Sequence, residues 1–188
     1  MRKAKFILVA LVAVVVVGIA YAVNGAVPQL DQKGYLYNPA TDQYITSSAV
    51  MGFEGVQFVI SDFKDCGASF GSDDAKIEEA GYTYVRFKLD GTSDFMRMTK
   101  DGVVCTSSGY HKWAVKESKD GLIIRCIYTS TQGSGALSPF AQQGYYLTPD
   151  ADGKLALVET PTDASYWEYV SPDEYKESTK PTVSLSGS

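Results

Sequence analysis

The fold is decided by three short segments of the sequence: VQFVI at 56–60, HKWAV at 111–115 and YWEYV at 166–170. Each segment joins a large aromatic residue to a strand of alternating apolar residues. The aromatic residues are Phe58, Trp113 and Trp167, and they are separated by 55 and 54 residues. Near-equal spacing in a chain of 188 residues predicts three similar structural units.

The sequence between these segments is patterned for short strands and tight turns. A strand pattern occurs in seven stretches, at 35–37, 56–60, 82–89, 113–115, 122–128, 154–158 and 167–170. Four Asp-Gly pairs, typical of hairpin turns, end at Gly91, Gly102, Gly121 and Gly153. One short helix is predicted at 73–80. The pattern therefore predicts an all-β fold. A lipocalin-like fold or a sandwich would leave the near-equal spacing unexplained.

The opening of the first unit carries a resemblance to a known family. GYLYNPATDQYIT at 34–46 is similar to the start of a repeat in ricin-type lectins, and SYWEYVSPDEY at 165–175 resembles the closing segment of secreted bacterial modules of that kind. The resemblance implies a β-trefoil with three repeats of about 50 residues. The chain departs from the family at the Gln of the Gln-x-Trp motif, where Val56, His111 and Ser165 stand, and at Phe58 in place of the first Trp.

The resemblance also implies a place for a sugar, in the first unit. That unit keeps the family-like opening, and its candidate ligand-binding residues are Asp42, Tyr44, Tyr37 and Asn38. The carboxylate of Asp42 would accept hydrogen bonds from adjacent hydroxyls, while Tyr44 or Tyr37 would stack on the apolar face of the sugar. Asp90 and Asp150 are the corresponding candidates in the other units. The alternative for each aspartate is that it only stabilises its own turn.

The first 22 residues have the pattern of a secretory signal peptide. A basic start is followed by an uncharged apolar run at 6–20, and Ala20-Tyr21-Ala22 supplies small residues for cleavage before Val23. The apolar run is shorter than the roughly 20 residues of a usual membrane span. An uncleaved membrane anchor is the alternative. Cleavage predicts an exported protein that is secreted, periplasmic or bound at the cell surface.

Export leaves an acidic chain with one folded domain. We expect a lead-in at 23–33, a β-trefoil domain at 34–175 and a flexible tail rich in Ser and Thr at 176–188. Three of the 17 basic residues and none of the 22 acidic residues lie in the leader, so the mature chain has 14 against 22 and a net charge of −8. Because an acidic surface repels phosphate groups, we expect neither a nucleic-acid partner nor a membrane partner after cleavage.

Reactive side chains form no known catalytic or metal-binding pattern. Cys66, Cys105 and Cys126 allow one disulfide with one thiol left over, or three buried free thiols. His111 is the only histidine, which argues against a zinc site or a catalytic triad. We therefore expect no cofactor and no enzymatic activity.

Two functions follow from these observations. The first is a secreted, non-catalytic module for carbohydrate binding or adhesion, whose partner is a glycan. The second is a trefoil that binds an extracellular protein, as a protease inhibitor or a cell-envelope accessory protein. The Gly- and Ser-rich insertion at 130–143 is the exposed loop that the second function would use.

Overall fold

The computed structural model describes residues 26–61, 81–99, 102–107, 112–126 and 145–180. Within these ranges the chain is mostly β-strand, which confirms the predicted all-β class. The strands are β1 (Lys33–Asn38), β2 (Gln43–Ile45), β3 (Met51–Gly52), β4 (Phe58–Ser61), β5 (Thr83–Leu89), β6 (Phe95–Thr99), β7 (Gly102–Thr106), β8 (Trp113–Ser118), β9 (Gly121–Cys126), β10 (Tyr146–Pro149), β11 (Leu155–Val158) and β12 (Tyr166–Val170). A 3-10 turn at Asp163–Ser165 precedes β12, and an α-helix, α1 (Pro172–Ser178), follows it.

The predicted strands and turns agree with these elements. Each of the seven predicted strands overlaps a strand of the structure. The glycines of all four Asp-Gly pairs have positive φ angles and lie where one strand turns into its antiparallel neighbour, as hairpin turns require. The helix predicted at 73–80 lies outside the described residues, as do the signal peptide at 1–22 and the insertion at 130–143.

Six of the strands pair in a closed ring. Around the ring the order is β1, β4, β5, β8, β9, β12 and back to β1, and every pairing is antiparallel. The remaining strands form three hairpins, β2 with β3, β6 with β7 and β10 with β11. Each hairpin lies in sequence between two strands of the ring. Gly121 helps to close the ring, because a Cβ at this position would lie 2.9 Å from the carbonyl oxygen of Trp167.

The core is built by the inward side of these strands. Alternation turns every second side chain of β1, β4 and β12 inward, so that Leu36, Phe58 and Trp167 are fully buried. Trp113 is 1% exposed and Trp167 is 0% exposed. The indole Nε1 of Trp113 donates to the carbonyl of Met96 at 2.8 Å, and that of Trp167 donates to the carbonyl of Leu147 at 2.9 Å. Both tryptophans are therefore core residues that also tie a ring strand to a hairpin.

The ends of the folded domain differ slightly from the predicted boundaries. β1 begins at Lys33, one residue before the predicted start, and Asp31 and Gln32 of the lead-in already hydrogen-bond to Ile60. At the other end, α1 continues to Ser178, so the first three residues of the predicted flexible tail are helical. A capping box in which Ser171 and Glu174 satisfy each other's backbone N–H groups starts this helix, and Tyr175 packs it onto Tyr35 of β1. Residues 181–188 of the predicted tail lie outside the described residues.

Candidate functional site

A cavity of about 400 Å³ opens beside β1, β12 and the end of α1. Its walls include three aromatic side chains, Tyr37, Tyr44 and Phe53, and two carboxylates, Asp42 and Glu168. Three of the four residues that the sequence nominated for a ligand, Tyr37, Asp42 and Tyr44, therefore line one cavity. Rings and carboxylates around a concave space can stack on a ligand and accept hydrogen bonds from it.

Asp42 and Tyr37 form the polar part of this cavity. Asp42 lies in the turn between β1 and β2 with a φ of 54°, a left-handed conformation that Asp and Asn adopt more readily than most residues. The hydroxyl of Tyr37 donates to Oδ1 of Asp42 at 2.7 Å. Burial, followed by this hydrogen bond, raises the pKa of the Tyr37 phenol, so the phenol stays a donor. The exposed carboxylate thus keeps acceptor positions for a ligand.

Asn38, the fourth nominated residue, does not line the cavity. It is 0% exposed, and its Nδ2 donates to the carbonyl of Ala164 at 2.8 Å. Its Oδ1 accepts the backbone N–H of Thr41 at 3.2 Å. Both ends of the amide are therefore hydrogen-bonded within the protein. Asn38 holds the turn that presents Asp42, and this geometry does not provide the expected contact with a ligand.

Tyr44 lines the cavity and belongs to a cluster of tyrosines. It is 8% exposed, and its hydroxyl lies 2.9 Å from the hydroxyl of Ser178 at the end of α1. Its ring lies edge-on to Tyr175, which stacks on Tyr35 at a centroid distance of 3.8 Å. Contacts of this kind contribute about 0.5–1.5 kcal/mol each beyond the area they bury. The cluster thus anchors α1 against β1 and β2 and fixes one wall of the cavity.

Phe53 and Glu168 are lining residues that the sequence reasoning missed. Phe53 is 73% exposed, which is unusual for a phenylalanine in a folded domain. Its loop is held by a hydrogen bond from the N–H of Gly55 to the hydroxyl of Tyr175 at 3.0 Å. Glu168 lies on β12 opposite Tyr37 of β1, and burial, with the nearby charge of Glu174 second, raises its pKa. No local motif marks either residue. Glu168 reaches the cavity only because the pairing of β1 with β12 places it opposite Tyr37.

The corresponding aspartates of the other units are engaged with partners within the protein. Asp90 forms an ion pair with Lys33 at 2.8 Å. Oδ1 of Asp150 accepts the backbone N–H groups of Asp152 at 2.9 Å and Lys154 at 2.8 Å. For Asp150 the structure thus favours the turn-stabilising alternative, and only Asp42 of the three lies in the lining of the cavity just described.

A second group of aromatic residues lies outside the cavity and is engaged with cations. Nζ of Lys112 lies 4.0 Å from the centre of the Tyr84 ring, and the guanidinium of Arg125 lies 5.3 Å from Tyr82 and 5.0 Å from Tyr146. Lys112 is 7% exposed, as expected of a packed contact. These rings stabilise the outer face of β5, β8, β9 and β10 and offer less open surface than Phe53.

Two of the cysteines are described, and both are free. Cys105 is half-buried and Cys126 is buried. Burial raises the pKa of each thiol to about 12, which leaves the reactive thiolate scarce at neutral pH. The third cysteine, Cys66, and the single histidine, His111, lie outside the described residues.

Among the described residues, no group of three or more His, Cys, Asp or Glu side chains could hold a metal ion. In the same part of the chain, no helix has the length and apolar character to cross a membrane. No protein-family model matches the chain, and no curated protein matches it.

Proposed function

We propose that the chain is a secreted β-trefoil module of the ricin-type lectin kind, which binds carbohydrate and catalyses no reaction. The closed ring of six strands with three intervening hairpins supports the trefoil, because that architecture consists of a six-stranded ring and three hairpins. The two tryptophan bonds support equivalent units, since Met96 and Leu147 both lie in the first strand of a hairpin. In the first unit, where Phe58 lacks a side-chain N–H, the carbonyl of Ile45 accepts from the N–H of Val56 at 2.9 Å instead.

The observation that carries the binding function is that the exposed ring of Phe53 and the carboxylate of Asp42 line the same cavity. A pyranose presents an apolar face of C–H groups and an edge of adjacent hydroxyls, which match a ring and a carboxylate respectively. The cavity of about 400 Å³ is within the range of small-molecule sites and opens to solvent at Phe53. Every other aromatic ring of the described residues is buried or half-buried, so Phe53 is the ring that offers the most open face for stacking on a sugar.

Removing either half of the site should weaken binding. Asp42→Ala is expected to lower the affinity for an oligosaccharide roughly ten- to hundredfold, since a charge-assisted hydrogen bond contributes about 1.5–3 kcal/mol. Phe53→Ala should weaken binding as well and leave the melting temperature unchanged, because the ring is 73% exposed. Isothermal titration calorimetry would measure both, after a panel of neutral and amino oligosaccharides has identified a ligand.

The control separates binding from turn stability. Alanine at position 42 would adopt the φ of 54° at a cost of roughly 1–2 kcal/mol. Asparagine tolerates that conformation, so Asp42→Asn is the matched variant that removes the charge without straining the turn. Asp152→Ala removes an exposed aspartate in the turn between β10 and β11, outside the cavity lining, and should bind as the unmodified protein does. Failure of every oligosaccharide to bind the unmodified protein would sink the proposal, as would equal affinities for Asp42→Ala and Asp152→Ala.

Export is the second part of the proposal. The pattern of the first 22 residues supports cleavage after Ala22, so N-terminal sequencing of exported protein is expected to begin at Val23. Expression with its own leader in a bacterial host, followed by fractionation, would supply the sample. Replacement of Ala22 with a bulky residue should block the cleavage. Recovery of the protein in the membrane fraction with Met1 at its start would contradict the prediction and favour the uncleaved anchor.

A further inference from the structure

The charged side chains described in the lining of the cavity are all negative. Of the described residues that line it, Asp42 and Glu168 carry carboxylates, and none is Lys, Arg or His. Asp42 accepts a hydrogen bond from a neutral phenol, Tyr37, and makes no ion pair among the salt bridges of the described residues. A concave site with carboxylates of one sign concentrates the negative potential inside it. The lining therefore favours a ligand that brings a positive charge.

The partial burial of Glu168 strengthens the preference of the cavity for a cation. It is half-buried on β12, and burial disfavours its ionised form, as does Glu174 of α1. Its neighbour across the strand pair is Tyr37, which is neutral. A carboxylate that is partly desolvated and lies near the charge of Glu174 gains the most when a cation arrives. A ligand ammonium group placed in the cavity that Asp42 and Glu168 line would offset that penalty.

The aromatic residues of the site suit the same group. The faces of aromatic rings attract cations through their quadrupole, and ammonium ligands are commonly held by several rings together. Phe53 offers an exposed ring, and Tyr37 adds a second that is half-buried. Conversely, a uronate, sulfate or phosphate group would meet two carboxylates and lose affinity. The lining selects for positive charge and against negative charge with the same atoms.

We propose that this site selects glycans that carry a free amino group, such as the deacetylated hexosamines of a partly deacetylated polymer. The inference rests on the proposed carbohydrate-binding function and names its ligand class. The apolar face of the sugar stacks on Phe53, and the ammonium group lies in the cavity that Asp42 and Glu168 line. An N-acetylated sugar of the same ring structure fills the same space, but its amide leaves both carboxylates without a cation.

The test compares one sugar in two forms. The mature protein is titrated at pH 7 with a tetramer of glucosamine, whose amines still carry substantial charge at that pH, and with the N-acetylated tetramer. We expect the free amine to bind at least roughly tenfold more tightly, as one charge-assisted contact allows. Glu168→Gln should lower the affinity for the free amine and leave that for the N-acetylated form unchanged. Asp42→Asn provides a second variant in case Glu168→Gln does not fold.

The controls separate the site from the general acidity of the chain. Glu159→Gln removes an exposed carboxylate outside the cavity lining and should change neither affinity. A trilysine peptide carries comparable charge without a sugar ring and should bind at least roughly tenfold more weakly than the glucosamine tetramer, by the same reasoning.

Three results would overturn the inference. Equal affinities for the two tetramers would remove the amine preference while leaving carbohydrate binding intact. Binding of trilysine as tight as that of the sugar, or equal losses in Glu159→Gln and Glu168→Gln, would mean attraction to a negative surface only. If neither tetramer nor any neutral oligosaccharide binds, the proposed function itself fails, and the amine inference falls with it.

Discussion

Replacing Trp167 or Trp113 with alanine is expected to destabilise the protein by about 3–5 kcal/mol each, the range for fully buried aromatic residues. Both side chains are almost completely buried in the core, and each loses a hydrogen bond from its indole to a hairpin carbonyl. In a domain of this size, about 2–4 °C of melting temperature corresponds to each kcal/mol, so the expected shift is roughly 6–20 °C. Thermal and urea unfolding followed by circular dichroism would measure it.

Two further variants separate packing from hydrogen bonding. Trp167→Phe keeps part of the ring, removes the donor to Leu147 and leaves a smaller void than alanine would, so its cost should be smaller than that of Trp167→Ala. The first unit already carries Phe58 at this position, and the carbonyl of Ile45 there receives the N–H of Val56. Phe53→Ala serves as the exposed control. Near-unchanged melting of both tryptophan-to-alanine variants would mean that these rings are not core residues in solution.

The all-β class could be predicted because its signals are local. Alternation with a period of two marks a strand wherever one face is buried, and an Asp-Gly pair marks a turn by supplying a positive φ. Gly91 and Gly153 illustrate this, since each sits in the turn of a hairpin with φ of 72° and 76°. The pairing of β1 with β12 joins residues more than 130 positions apart and has no local signal. It depends on the packing of the whole core.

Helix α1 carries a local signal at its start, but the predicted flexible tail overlaps its end. Ser171, Pro172 and Glu174 are an N-cap, a residue suited to the first turn and the partner of a capping box. The helix has only seven residues, too few to show an amphipathic period, and the sequence after it is rich in Ser and Thr. What holds the helix is tertiary contact, through the stacking of Tyr175 on Tyr35.

In the candidate site too, the residues with a local signal could be predicted, and those that depend on long-range contacts could not. Tyr37, Asp42 and Tyr44 could be nominated together because one strand, one turn and the next strand carry them. Glu168 could not, because the long-range pairing of β1 with β12 brings it to the cavity. Asn38 lies outside the cavity lining for a related reason. A polar residue at the edge of a turn is normally exposed, and its burial here follows from contact with Ala164, 126 positions away in the sequence.

Asn38→Asp is expected to destabilise the protein by about 3–5 kcal/mol at neutral pH, as an uncompensated buried charge does. The substitution keeps the size of the side chain and the acceptor for the N–H of Thr41, but it replaces the donor to the Ala164 carbonyl with a second carboxylate oxygen. Asn38→Ala removes the donor without adding a charge and should cost less, about 1–3 kcal/mol. Urea unfolding of both variants and the unmodified protein, from pH 3 to pH 8, would give the differences.

The dependence on pH distinguishes a buried structural residue from a ligand contact. In the Asn38→Asp variant, burial raises the pKa of the introduced carboxyl group in the folded state above its unfolded value of about 3.9. Below that unfolded value both states are protonated, and the acid O–H can donate to the carbonyl of Ala164, so the penalty is smallest there. As the pH rises toward the raised folded pKa, the unfolded state releases its proton first, and stability relative to the unmodified protein falls. Asn38→Ala should show no such trend. A stable Asn38→Asp variant with impaired glycan binding would instead return Asn38 to the ligand site, because an exposed carboxylate costs nothing to ionise.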